Sequence, residues 1–96
     1  MATPNVIDNV AASQFEIHTE ADMALLEYVL EGGRLELLHT EVPPQFRGRG
    51  FGEALVRAAL DRARGENLKI VPTCPFVRKF LARHREYADL IARSTA

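Results

Sequence analysis

Val42–Leu60 reads VPPQFRGRGFGEALVRAAL: a double proline, then Gly48, Gly50 and Gly52 interleaved with Arg47 and Arg49, then an apolar helix-like run. Glycine loses more conformational freedom on folding than any other residue. Three of them at alternate positions mark a backbone that turns sharply or must be approached closely. A turn, a phosphate cradle and simple looseness all satisfy that condition, and the flanking sequence has to decide between them.

Upstream, Arg34–Val42 has a fault in its alternation. Leu35 and Leu37 are apolar against Arg34 and Glu36; then Leu38, Thr40 and Val42 take the less polar phase, and His39 and Glu41 become the polar residues. A β-bulge flips the phase in this way, by inserting one residue and re-aiming those that follow. A strand buried on both faces at its centre gives the same pattern. Before it, Gly32-Gly33 is a two-residue hairpin signal at the end of MALLEYVLE (Met23–Glu31), where Leu26, Tyr28 and Leu30 share a face. QFEIH (Gln14–His18) alternates Phe15 and Ile17 with polar residues. A three-strand antiparallel meander is expected. Residues 1–12 lack periodicity and read as a flexible tail, which leaves 13–96 as one domain.

Downstream, the glycines run into a helix expected from Gly50 to Arg64. Phe51, Leu55, Ala58, Ala59 and Ala63 lie on its apolar side, Glu53, Arg57, Asp61 and Arg64 on the other, and Gly65 stops it. Leu68–Val71 reads as a short buried strand beside Arg34–Val42. Pro75 suits the first turn of a second helix reaching Arg83, with Phe76, Val77, Phe80 and Leu81 as its core contacts, and HREYADLI adds a further helical turn. The fold class is α/β of the α+β kind: a mixed, mostly antiparallel sheet of about four strands with two to three helices.

The chain of 96 residues, 47% hydrophobic, fits one small core and no second domain. Its single cysteine, Cys74, excludes an internal disulfide, and no apolar run approaches the ~20 residues a membrane span needs. The N-terminal MATPNVIDNVAAS has neither the basic start nor the apolar centre of a secretory signal, so a cytoplasmic location is expected. Charge is segregated. Residues 1–33 carry six carboxylates and no Lys or Arg, whereas 34–96 hold all 12 basic residues against seven acids. Chance segregation and an anionic ligand on the C-terminal half both account for this.

Strand, glycine loop, helix, strand is a phosphate-binding layout. A Walker A loop needs Lys and then Ser or Thr after its last glycine, but Glu53 and Ala54 follow Gly52. A dinucleotide fingerprint needs G-x-G-x-x-G, and counted from Gly48 and Gly50 its third position is Glu53. What remains is Q-x-x-G-x-G, Gln45–Gly50, extended by Gly52. With HTEVPPQFRGRGFGEALVRAAL and VPTCPFVRKFLARHREY, the chain resembles the GNAT superfamily of N-acetyltransferases. The likeness is to its unusually short single-domain branch (H-T-E-V-P-P, R-G-x-G, C-P-F-V, H-P-E-Y). It covers roughly residues 14–91 and departs at Arg85, where that branch more often has proline. Against the wider superfamily the chain lacks the helices that follow the first strand and help build the acceptor side.

The resemblance implies acetyl-coenzyme A as cosubstrate, no metal, and direct attack by an amine on the thioester. The cofactor-binding set it points to is Leu38, Thr40 and Val42 on the strand, Gln45, Phe46, Arg47, Gly48, Arg49, Gly50, Phe51 and Gly52 in the loop, and Cys74. The residues themselves agree: backbone N–H groups from about Phe46 to Gly52 can converge on a pyrophosphate at the positive end of the following helix. A bulge would leave backbone donors unpaired near Leu38–Thr40 to polarise the acetyl carbonyl. His39 and Glu41, on the re-aimed face, are the candidate bases. Cys74, at a helix N-terminus, is a structural thiol, a neighbour of the coenzyme A sulfur, or a nucleophile. Tyr87 is the candidate acid for the departing thiolate, with His84 beside it. The acceptor is an unidentified amine, on a small molecule or a protein side chain, and the protein is expected to be a monomer or weak dimer. Two other functions fit: a coenzyme A binding module with little turnover, and a nucleic-acid contact domain using Arg47, Arg49, Arg57, Arg62 and Arg64. The latter lacks the interleaved aromatic residues that base stacking requires.

Overall fold

The computed structural model describes residues 4–93. Five strands form one sheet in chain order: β1 (Ile7–Asn9), β2 (Gln14–His18), β3 (Met23–Glu31), β4 (Arg34–Glu41) and β5 (Lys69–Pro72). The first four run antiparallel in sequence, and β5 pairs with β4 in parallel. A parallel pair needs a crossover, which helix α1 (Phe51–Glu66) supplies. Helix α2 (Pro75–Arg83) packs beside β5 and α1, and a short 3₁₀ segment (Arg85–Leu90) follows it. Beyond it Ile91 makes one parallel rung with Ile70, and the Ala92 N–H donates to the Ile70 carbonyl at 2.7 Å. Among the described residues no helix is long and apolar enough to cross a membrane.

The core lies between one sheet face and α1. Phe15, Leu26, Leu35, Leu37 and Ile70 from the strands meet Leu55, Val56 and Leu60 from α1, all essentially inaccessible to water. Leu30 shares the face of Leu26 and Tyr28 but stands at its open end and is exposed. The hairpin between β3 and β4 turns on Gly32 and Gly33 with φ of 57° and 75°, the paired left-handed conformation of a two-residue loop whose twist matches its strands.

The phase flip in β4 is a bulge. Tyr28 stands opposite Leu37 and Glu27 opposite His39, so Leu38 is the inserted residue, and it is exposed where Leu37 is buried. Burial on both faces, the other account of that pattern, does not apply.

Two boundaries differ from expectation. The segment 1–12, expected as a tail, carries β1 and a 3₁₀ turn over Val10–Ala12; its first three residues lie outside the described ones. Long-range polar contacts hold it. Asp8 accepts hydrogen bonds from the Tyr28 hydroxyl (2.7 Å) and the Arg62 guanidinium (2.9 Å), contacts that a three-residue strand cannot announce by periodicity. Gly65 does not end α1 either. The helix continues to Glu66, and Asn67 takes the left-handed cap (φ 56°, ψ 40°), a conformation its short amide side chain tolerates better than most. Gly65 is therefore an exposed interior helix position with open space around a Cβ. Gly65→Ala is expected to stabilise the protein by about 0.5–1 kcal/mol in denaturant titration, through reduced unfolded-state entropy. A loss of stability would place Gly65 outside the helix.

Candidate functional site

The loop between β4 and α1 combines constrained geometry with unsatisfied donors. Gly48 and Gly50 have φ of 80° and 81°, values that side chains rarely adopt, and Gly50 caps α1. The N–H groups of Phe46, Arg47 and Arg49 are used in turns, on the carbonyls of Pro43, Pro44 and Phe46. Those of Gly48, Gly50, Phe51, Gly52 and Glu53 have no acceptor among the described residues, and the helix ladder begins only with Ala54 donating to Gly50 at 3.0 Å. A cluster of N–H groups thus surrounds the positive end of a 16-residue helix. Gly52 answers to a different constraint. A Cβ there would come within 2.7 Å of the Phe76 ring.

On the other side of the site, β4 and β5 part. Their pairing stops at Leu37 and Pro72, and the last link between the two segments is the Cys74 N–H on the Leu37 carbonyl at 2.9 Å. Ladder alternation fixes which backbone groups face the gap. Glu31 and Arg34 close the hairpin as a hydrogen-bonded pair, so the backbone of Leu35 and Leu37 points toward β5. The inserted Leu38 postpones the next such residue to Thr40. Its N–H faces the gap, and its hydroxyl lies 3.4 Å from the Cys74 Sγ. Burial pushes the Cys74 pKa up. The Thr40 hydroxyl and the backbone N–H groups of Val77, Phe76 and Thr40 outweigh it, so the thiol titrates below its usual range.

Between loop and gap lies a cavity of about 650 Å³. His39, Thr40, Glu41 and Val42 form its β4 wall. Phe46, Arg47, Gly48 and the start of α1 from Gly50 to Glu53 form the opposite side, and Phe76 projects into it from α2. A smaller hollow of about 420 Å³ shares Glu41, Val42 and Arg47 and adds Asp22 and Met23.

Most of the expected residues are therefore brought together, and some are not. Gln45 stands outside, its amide on Asp22 at 3.3 Å. Arg47 lines the cavity, whereas Arg49 lies over the Phe46 ring, 5.8 Å from its centroid. Leu38 is displaced by the bulge, and Cys74 is buried behind Thr40 rather than on the wall. Tyr87 is not part of the wall: its hydroxyl accepts from Arg57 and its ring tilts against Phe80. His84 stacks on the same Phe80 at 4.1 Å. Phe76, expected as a core residue, is 40% exposed and, with Glu53, is one of two lining residues the sequence reading missed. The available signal for Phe76 was its place in the first turn of a helix opened by Pro75, where side chains slant back past the N-terminus.

The basic half of the chain is mostly occupied with its own fold. Arg62 bridges Asp8, Glu66 and the Tyr28 hydroxyl, Arg64 pairs with Asp89, and Arg57 lies over Phe80. That leaves no stripe of free arginines along α1 for nucleic acid. Among the described residues no group of His, Cys, Asp and Glu could hold a metal ion.

Comparison with known proteins agrees with this geometry. Residues 14–90 match the family model described as GCN5-related N-acetyl-transferase. Protein NATD1 of Bos taurus is 44% identical over 61 residues, 62% of this chain and 54% of the relative, so the match spans about half the length of that protein. Protein NATD1 of Danio rerio is 37% identical over 83 residues, 81% of this chain and 76% of the relative. The solution structure of a Staphylococcus aureus protein described as GCN5-like superposes with a TM-score of 0.74 at 24% identity, covering 99% of this chain and 94% of that one, and shares its fold. With a family match over most of its length, a glycine loop capping the crossover helix and a bulged strand splaying from its parallel neighbour, the chain belongs to the GCN5-related N-acetyltransferase family.

Proposed function

We propose that the protein is an acetyl-coenzyme A dependent N-acetyltransferase. The observation that carries this is the cluster of unpaired N–H groups at Gly48 and Gly50–Glu53, facing the same cavity as the gap between β4 and β5. A pyrophosphate is the anion such a cluster fits, with Arg47 as the cationic wall. The Thr40 N–H then stands as the donor for the acetyl carbonyl in the gap. An amine entering over Glu41 and His39 loses its proton to one of them, directly or through water. Its nitrogen bonds to the acetyl carbon as the carbon–sulfur bond breaks and the thiolate leaves.

Cys74 supports this chemistry from behind Thr40. The Thr40 hydroxyl lies 3.4 Å from its sulfur, which makes the thiol a neighbour of the proposed reacting centre. As a nucleophile it would take the acetyl group before the amine does. Incubation with acetyl-coenzyme A and no acceptor, read by mass spectrometry, is expected to leave Cys74 unmodified, with activity retained in Cys74→Ala. Stoichiometric acetylation of Cys74 would replace direct attack with a two-step transfer.

One observation favours a binding module with little turnover. His18 and Met23 are joined by a tight turn closed by Thr19 and Asp22, so no helix rises between β2 and β3 to shape an acceptor site. Thiol release from acetyl-coenzyme A across amines, polyamines and peptides decides between the two. Release above the hydrolytic background with at least one acceptor is expected. Tight binding of coenzyme A with no release from any of them would establish the binding module, and no binding would overturn both.

A further inference from the structure

Phe76 is a large apolar side chain kept partly in water at the start of α2. Its ring approaches α1 so closely that a Cβ at position 52 would come within 2.7 Å of it. Phe76 stands two residues after Cys74, the residue that caps α2. The Thr40 hydroxyl lies 3.4 Å from Cys74 Sγ, and the Phe76 ring lies against Gly52 in the donor cluster. A ligand held by that cluster and reaching Thr40 occupies the cavity that this ring lines.

From this we infer that Phe76 is the residue that seats the pantetheine arm: its exposed ring face forms the apolar floor between the phosphate cradle and the Thr40 N–H, and so sets where the thioester stops. The inference rests on the coenzyme A reading of the cavity. Gly52 belongs to the same device. Its missing Cβ lets the ring lie against α1 and leave the channel open, and the alanine variant would push the ring toward the cavity.

The nucleotide half of coenzyme A, adenosine 3′-phosphate 5′-diphosphate, carries the phosphates and lacks the arm, which permits a test by calorimetry on the full chain. Phe76→Ala is expected to weaken coenzyme A binding by about tenfold or more, the scale on which a buried aromatic contact contributes. Affinity for the nucleotide half should stay within about twofold, because the donor cluster is backbone and remains. Phe76→Leu, which keeps an apolar floor, should recover most of the loss. Unchanged coenzyme A affinity in Phe76→Ala, or an equal loss for both ligands, overturns the assignment, since the latter marks a purely structural side chain. Failure of the parent protein to bind either ligand overturns the coenzyme A reading itself.

Discussion

Gly50→Glu is expected to abolish coenzyme A binding in calorimetry while leaving a folded protein, with a loss of affinity of about a hundredfold or more. Two effects operate and they separate cleanly. Gly50 caps α1 at φ 81°, where a side chain costs about 1–2 kcal/mol in backbone strain, a drop of roughly 4–16 °C in melting temperature for a domain of this size. There is open space around a Cβ at this position, so the glutamate is admitted sterically and the fold survives. Its carboxylate then takes the place of an anion beside the free N–H groups of Phe51, Gly52 and Glu53 and repels a pyrophosphate, a like-charge contact that costs several kcal/mol. Gly50→Ala isolates the strain. It should melt lower and keep most of its affinity. Undiminished binding in Gly50→Glu would show that the donor cluster does not hold the phosphates, and the functional assignment would fall with it.

The glycine loop was legible in the sequence because its logic is backbone logic. Glycine at 48 and 50, proline at 43 and 44 and an apolar helical run leave few conformations open, and the phase of β4 flips near Leu37-Leu38, where the register shift then settles on a bulge. Side-chain positions read less well. Phe76 fits a core pattern and a cavity pattern equally, and only the third-dimensional approach of Gly52 tells them apart. Arg47 and Arg49 are equivalent in a string, whereas the loop turns one to the cavity and lays the other over Phe46. Tyr87 is held by Arg57, distant in sequence, and by the ring of Phe80 on α2, which fix it away from the wall. β1 escaped notice for the same reason. Its hold on the domain is Asp8 with Arg62, residues separated by most of the chain and recorded in no local pattern.

The adjacent leucines of β4 should respond in opposite ways to truncation. Leu37 is fully buried against the helix-covered face, at the last rung shared with β5, so Leu37→Ala removes packed methyl groups and leaves a cavity. The expected cost is about 2–5 kcal/mol, a large fraction of the roughly 5–15 kcal/mol that holds a domain together. Leu38 is the inserted residue and is exposed, so Leu38→Ala should stay within about 0.5 kcal/mol of the parent in urea titration. The contrast bears on the chemistry as well as the fold. Without an inserted residue at 38, Thr40 would stand opposite Leu25 in a hydrogen-bonded pair, and its N–H would be spent on β3 instead of facing the gap. Equal costs at the two positions would therefore count against the bulge, and with it against the backbone donor proposed for the acetyl carbonyl.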